Sequence, residues 1–173
     1  MAQAYRPQST DNTKQARVVV IHCSDPRYQP HFQDFLRLRL GLPHYGLIAI
    51  PGGAQMLSPS EERMPVREHG AAWLDFMATL MTADRCILIG HADCRWYLEN
   101  GIAGEASRLK ETQARDMIAV SSEIQRRFPS MHTEIYFAEM RGPLVDFTEL
   151  QISPISGLIH EGDDPLGLRL SKP

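Results

Sequence analysis

Two short apolar runs constrain this chain more than any other feature. Arg17-Val-Val-Val-Ile21 is β-branched and almost wholly apolar, and Cys86-Ile-Leu-Ile-Gly90 repeats the pattern far along the chain. Runs of this length without polar alternation suit strands covered on both faces of a parallel sheet. Each run ends abruptly in chemistry. The first passes through His22 into Cys23-Ser-Asp25-Pro-Arg27, which sets a thiol, a carboxylate and a guanidinium within five residues. The second passes into His91-Ala-Asp-Cys94.

The segments between them fill in an α/β pattern. After Pro26 and Pro30 break the chain, His31 to Leu40 reads as a helix with Phe32, Phe35, Leu36 and Leu40 on one face and Gly41 as its stop. Tyr45 to Ile50 is a second strand, closed by Pro51-Gly-Gly53, and Met56 to Met64 reads as an exposed loop. From Pro65 to about Thr82, residues Val66, Trp73, Met77 and Leu80 recur at helical spacing. Arg85 to Gly90 is the third strand. A long amphipathic helix runs from about Glu105 to Phe128 through Leu109, Met117, Val120 and Ile124, and Pro129 stops it. Thr133 to Phe137 and Leu144 to Phe147 flank Arg141-Gly-Pro143 as a hairpin.

Strand and helix alternating in this way define an α/β fold with a central, mostly parallel β-sheet flanked by helices. The expected division is an N-terminal arm at 1–16, an α/β domain at 17–150 that carries both motifs, and a C-terminal extension at 151–173. The extension carries no period and reads as a surface extension or an oligomer contact. A chain of 173 residues, 43% hydrophobic and 23% charged, suits one globular domain. Its net charge of -3 offers no basic footprint for nucleic acid and no polybasic anchor for a membrane. No apolar run approaches the roughly 20 residues of a spanning helix. The N-terminus lacks the apolar core of a signal peptide, so the expected compartment is the cytoplasm.

Three cysteines are too few and too odd for a disulfide scaffold. Mid-strand, Cys86 reads as a small buried hydrophobe. Cys23 and Cys94 stand where strands stop. Loops after the carboxyl ends of parallel strands share one edge of the sheet, and ligands bind there. Cys23, Gly52-Gly53 and His91 each follow a strand at that end, so they can meet in space. Zinc takes four tetrahedral ligands, and two cysteines with one histidine leave a fourth position open, as catalytic sites require. Cys23, His91 and Cys94 are therefore the expected zinc ligands. Two thiolates already balance the ion, and a bidentate contact from Arg27 would hold Asp25 off it. Without such a site, Asp25 and Arg27 would be an ordinary loop ion pair. A cysteine-phosphatase reading fails on spacing, because the position six residues after Cys23 holds Gln29, not arginine.

The motifs Cys23-Ser-Asp25-Pro-Arg27 and His91-Ala-Asp-Cys94 together resemble the two signatures of the β-class carbonic anhydrases, over roughly Arg17 to Leu150. That resemblance implies zinc on Cys23, His91 and Cys94, and reversible hydration of carbon dioxide to bicarbonate by zinc-bound hydroxide. It implies gating of the fourth ligand by the Asp25–Arg27 dyad, and a homodimer or higher homo-oligomer. Gly52 and Gly53 would let the backbone approach substrate. His22 and His31 have the pKa range suited to carrying away the proton. The chain departs from the family pattern at Arg95-Trp96, where a glycine is usual after the second cysteine. It departs again at Ile50-Pro-Gly-Gly53, which replaces Arg-Asn-Ala-Gly. Arg95 then enters the pocket, where it narrows it or binds an anion. These departures leave two further readings open: turnover of an analogue such as carbonyl sulfide or carbon disulfide, and a catalytically silent zinc protein.

Overall fold

The computed structural model describes residues 16–59, 64–151 and 169–170. The arm at 1–16 and the extension at 151–173 therefore lie almost wholly outside the described residues. Strand β1 (Val18–Cys23) is buried along its whole length, and Val19, Val20 and Ile21 expose no surface. Its side chains divide by parity. Val18 and Val20 face Tyr28, Phe32, Ile87 and Ile89, whereas Val19 and Ile21 face Leu74, Leu88, Met117 and Ile124. Both faces are thus apolar, which is why the run shows no alternation. Each such valine or isoleucine contributes about 1.5–3 kcal/mol of burial.

Strands β2 (Gly46–Ile50) and β3 (Arg85–His91) pair with β1 in parallel, and β4 (His132–Arg141) pairs with β3 in parallel. Strand β5 (Leu144–Gln151) returns antiparallel to β4 through a turn in which Gly142 takes φ 62°. The short β6 (Arg169–Leu170) adds to β5, giving the order β2-β1-β3-β4-β5-β6 among the described residues. The expected α/β sheet, parallel in its main part, is the observed one. Within the tail, which shows no sequence period, Arg169–Leu170 joins the sheet as β6.

Helix α1 (Gln29–Asp34) runs on into a π-helical turn at Phe35–Arg39. It covers one face with Phe32 and Leu36. Helices α2 (Met64–Met81) and α4 (Leu109–Arg127) cover the other. The chain leaves β1 toward β2 on one side and returns past it to β3 on the other. This reversal opens a crevice beyond the carboxyl ends of β1 and β3, the place where open α/β sheets bind ligands.

Local expectations need four corrections. The first helix begins at Gln29, and Pro30 opens it instead of ending the segment before it. In α2, Trp73 and Leu80 are 48% and 61% exposed, and the buried face carries Leu74 and Ala78. That helix has apolar residues on both faces, so its period admits two phases. The exposed loop expected from Met56 to Met64 starts instead inside a 3-10 turn, Gly53–Leu57, whose residues are all buried, and its stretch 60–63 lies outside the described residues. A short helix, α3 (Arg95–Glu99), follows Cys94 directly.

Candidate metal centre

Cys23 ends β1, and its carbonyl accepts bonds from Gln29 Nε2 at 2.8 Å and His22 Nδ1 at 2.9 Å. Gln29, which sequence reading used only to dismiss a phosphatase loop, caps the strand. His91 ends β3 and is fully buried, with its ring 4.3 Å from that of Tyr28. A carbonyl oxygen can only accept, so Nδ1, 2.7 Å from Ala92 O, carries the proton. Nε2 is then an acceptor, and it is buried with no hydrogen-bond partner. Cys94 caps α3 and is 1% exposed. Its Sγ lies 3.8 Å from that of Cys23. The ligand atoms of Cys23, His91 and Cys94 all lie within 4.8 Å of one another.

This grouping fits a metal ion. A buried acceptor with no donor costs about 1–3 kcal/mol, and an ion between it and the two sulfurs would satisfy it. One imidazole nitrogen with two sulfurs is a donor set that zinc accepts. Without an ion the two thiols compete for one proton. The hydrogen bond from Cys94 pulls Cys23 down, helped by the N–H of Gly52. The bond to Cys23 and burial push Cys94 up, although the N–H groups of Tyr97 and Trp96 favour its thiolate. The contact thus favours loss of a proton from the pair, and the thiolate is the form a metal needs.

Asp25 and Arg27 meet as expected. Arg27 Nε donates to Asp25 Oδ1 at 3.0 Å and Nη2 donates to Oδ2 at 2.6 Å. Arg27 holds the Asp25 carboxyl below its ordinary range, and that carboxylate raises Arg27 in turn. The same guanidinium reaches Asp93, with Nη1 2.5 Å from Oδ2.

A cleft of about 600 Å³ opens over this end of the sheet. Cys23, Asp25 and Arg27 line one side, and Pro51, Arg95 and Trp96 line the other. Arg95 stands at the rim, 77% exposed and paired with Glu99 at 3.0 Å. Gly52 and Gly53 lie beneath the lining. A Cβ on Gly52 would strike Trp96, and one on Gly53 would come within 3.0 Å of the Cys23 nitrogen. Both glycines have positive φ, 76° and 57°, so they serve close backbone packing around Cys23. Neither His22 nor His31 lines the cleft. His22 is 1% exposed, packs on Phe32 at 4.6 Å and has its pKa lowered by burial.

Sequence reading missed two supports. Gln113 of α4 bonds both backbone groups of His91. Asp116 of the same helix accepts bonds from Ser58 and from the Tyr97 hydroxyl, both at 2.8 Å, and so ties α3 to the core. The signal for both was their place three residues apart on one helix, at positions where a polar residue interrupts an apolar stripe.

Solved structures resemble this chain. One is a tetrameric β-carbonic anhydrase from the filamentous ascomycete Sordaria macrospora, 13% identical, with a TM-score of 0.50 over 78% of this chain and 81% of that one. Another is a β-carbonic anhydrase of the fungal pathogen Aspergillus fumigatus, 12% identical, with a TM-score of 0.43 over 78% of this chain and 76% of that one. At such identity the likeness shows the fold alone. No family model and no curated protein matches the chain.

Proposed function

We propose that this chain is a zinc enzyme that hydrates carbon dioxide reversibly to bicarbonate and a proton. The observation that carries the reading is the convergence of the unpartnered His91 Nε2 with the sulfurs of Cys23 and Cys94 at the crevice between β1 and β3. Zinc held there would supply a Lewis acid that brings the pKa of water from 15.7 to about 7. The chain's own residues do the rest. Asp25, ionised and held by Arg27, accepts a hydrogen bond from the attacking water and aims its lone pair at the carbon. Pro51 and Trp96 offer an apolar wall for the substrate. The proton leaves through the open cleft to solvent, because His22 is buried away from it.

The same reading extends to assembly. The Sordaria protein is tetrameric, and β2 forms one edge of the sheet here. Beside that edge Leu47, Trp73 and Phe76 are 43%, 48% and 64% exposed, which suits a face covered by a second copy. Among the described residues no helix is long and apolar enough to cross a membrane, and a cytoplasmic enzyme is the form proposed.

Stopped-flow hydration of carbon dioxide by zinc-loaded protein near pH 7, with Cys94→Ser as control, tests the activity. A rate well above the control supports it. A rate equal to the control with zinc bound would leave the silent reading. Faster release of hydrogen sulfide from carbonyl sulfide than hydration of carbon dioxide would move the substrate to the analogue.

A further inference from the structure

Asp93 sits between His91 and Cys94 with φ 52°, a left-handed backbone that Asp and Asn tolerate better than most residues. Its side chain is turned to Arg27 and Tyr28. Arg27 Nη1 reaches Oδ2 at 2.5 Å, Arg27 Nη2 reaches the Asp93 carbonyl at 3.3 Å, and the Tyr28 hydroxyl donates to Oδ1 at 3.1 Å. The guanidinium therefore works as a fork. Nε and Nη2 hold Asp25 while Nη1 holds Asp93.

The geometry matters because Asp25 and Arg27 lie two residues apart on one loop. The loop is tied to β2 by Ser24 N–H to Ile50 O at 3.0 Å and within itself by Tyr28 N–H to Asp25 O at 3.1 Å, and the Arg27 guanidinium reaches from it to the turn of the second motif. The Arg27 side chain is 43% exposed and carries a long stem with much rotamer freedom, and besides its carboxylate partners it meets the Tyr28 ring, 5.9 Å from the guanidinium carbon. Asp93 supplies a fixed point. It belongs to the turn that carries His91 and Cys94, and that turn is anchored to β4 by Ala92 N–H to Ala138 O at 2.8 Å.

We propose that Asp93 is a positioning residue that, through Arg27, holds Asp25 in place beside the Cys23–His91–Cys94 cluster and so keeps the cluster's remaining coordination position accessible. This rests on the metal site proposed above. When Asp93 no longer holds Arg27, the Asp25–Arg27 pair moves as a unit, and the Asp25 carboxylate, which shares the cleft with Cys23, competes with outside ligands for that position.

The test uses the full chain loaded with cobalt in place of zinc. Azide is titrated in and followed by the visible absorption of the metal, alongside metal content and carbon dioxide hydration. The variant is Asp93→Asn, which keeps the left-handed backbone tolerable. Full cobalt content with azide affinity weakened roughly tenfold, as the accessible fraction falls, and hydration reduced to match, is the expected result. Azide affinity within roughly twofold of the unmodified protein overturns the proposal. So does loss of cobalt from the variant, because Asp93 would then serve the turn's structure. If the unmodified protein binds cobalt but no azide, the open site fails, and this inference fails with it. If it binds azide but hydrates no carbon dioxide, the enzyme reading fails, and the azide ratio still decides the role of Asp93.

Discussion

Gln113 grips the peptide groups of His91 from both sides, donating from Nε2 to the carbonyl at 2.7 Å and accepting the N–H at Oε1 at 3.2 Å. The pairing of β1 with β3 ends at His22 and Ile89, so His91 has no strand partner on that side. A helix side chain takes the strand's place. Gln113→Ala would strand two buried backbone groups, and it is expected to destabilise the fold by about 2–3 kcal/mol in urea unfolding. It should also weaken metal binding about 10–100-fold in a competitive chelator titration, since the ligand loses its orienting support. Unchanged metal affinity would show that β3 alone positions His91.

Gly52 is the position where the loop after β2 passes under Trp96. Its φ of 76° and the Trp96 ring both stand against a Cβ. Gly52→Ala should therefore push Trp96 out of its contact with Gln55, where Trp96 Nε1 donates to Oε1 at 2.9 Å. The expected readout is a red shift in tryptophan emission in a Trp73→Phe background, with a loss of about 1–3 kcal/mol in stability. An unshifted spectrum would mean that the loop, not the ring, gives way.

The β3–β4 pair carries an ion pair with a defined acid response. Burial alone would push Glu134 up, but the bonds from Arg85, at 2.5 and 2.8 Å, and from Tyr136 outweigh it and hold its carboxyl below the ordinary glutamate range. A carboxylate depressed on folding stabilises the fold fully above its unfolded pKa, and that contribution fades as pH falls through the folded value. Glu134→Gln should cost about 1 kcal/mol near pH 7. The gap to the unmodified protein should shrink in urea unfolding repeated below pH 4.5. A gap that widens in acid would reverse the assigned sign.

The meeting of Cys23, His91 and Cys94 could be read from the sequence because strand ends are legible. Unalternating runs locate β1 and β3, and polar residues directly after them fall on one edge of the sheet whatever the details of the turns. The Asp25–Arg27 contact was legible for the same reason, since both stand two residues apart beyond β1. Gln113 left only a polar gap in an apolar stripe and Asp93 left no signal, because a polar residue within a helix or a turn looks like surface until its partner is known. Trp73 and Leu74 show another limit. Neighbours on a helix with two apolar stripes give equal periodicity, and only the packing of Leu74 and Ala78 against the sheet selects the buried one. The roles of Gly52 and Gly53 depended on Trp96 and Cys23 arriving from elsewhere in the chain.

X-ray absorption at the zinc edge of the zinc-loaded protein tests the metal centre most directly. The account predicts two sulfur ligands at about 2.3 Å and nitrogen or oxygen ligands at about 2.0–2.1 Å, with one sulfur lost in Cys94→Ser. A shell of nitrogen and oxygen alone, or a sulfur count untouched by Cys94→Ser, would contradict it.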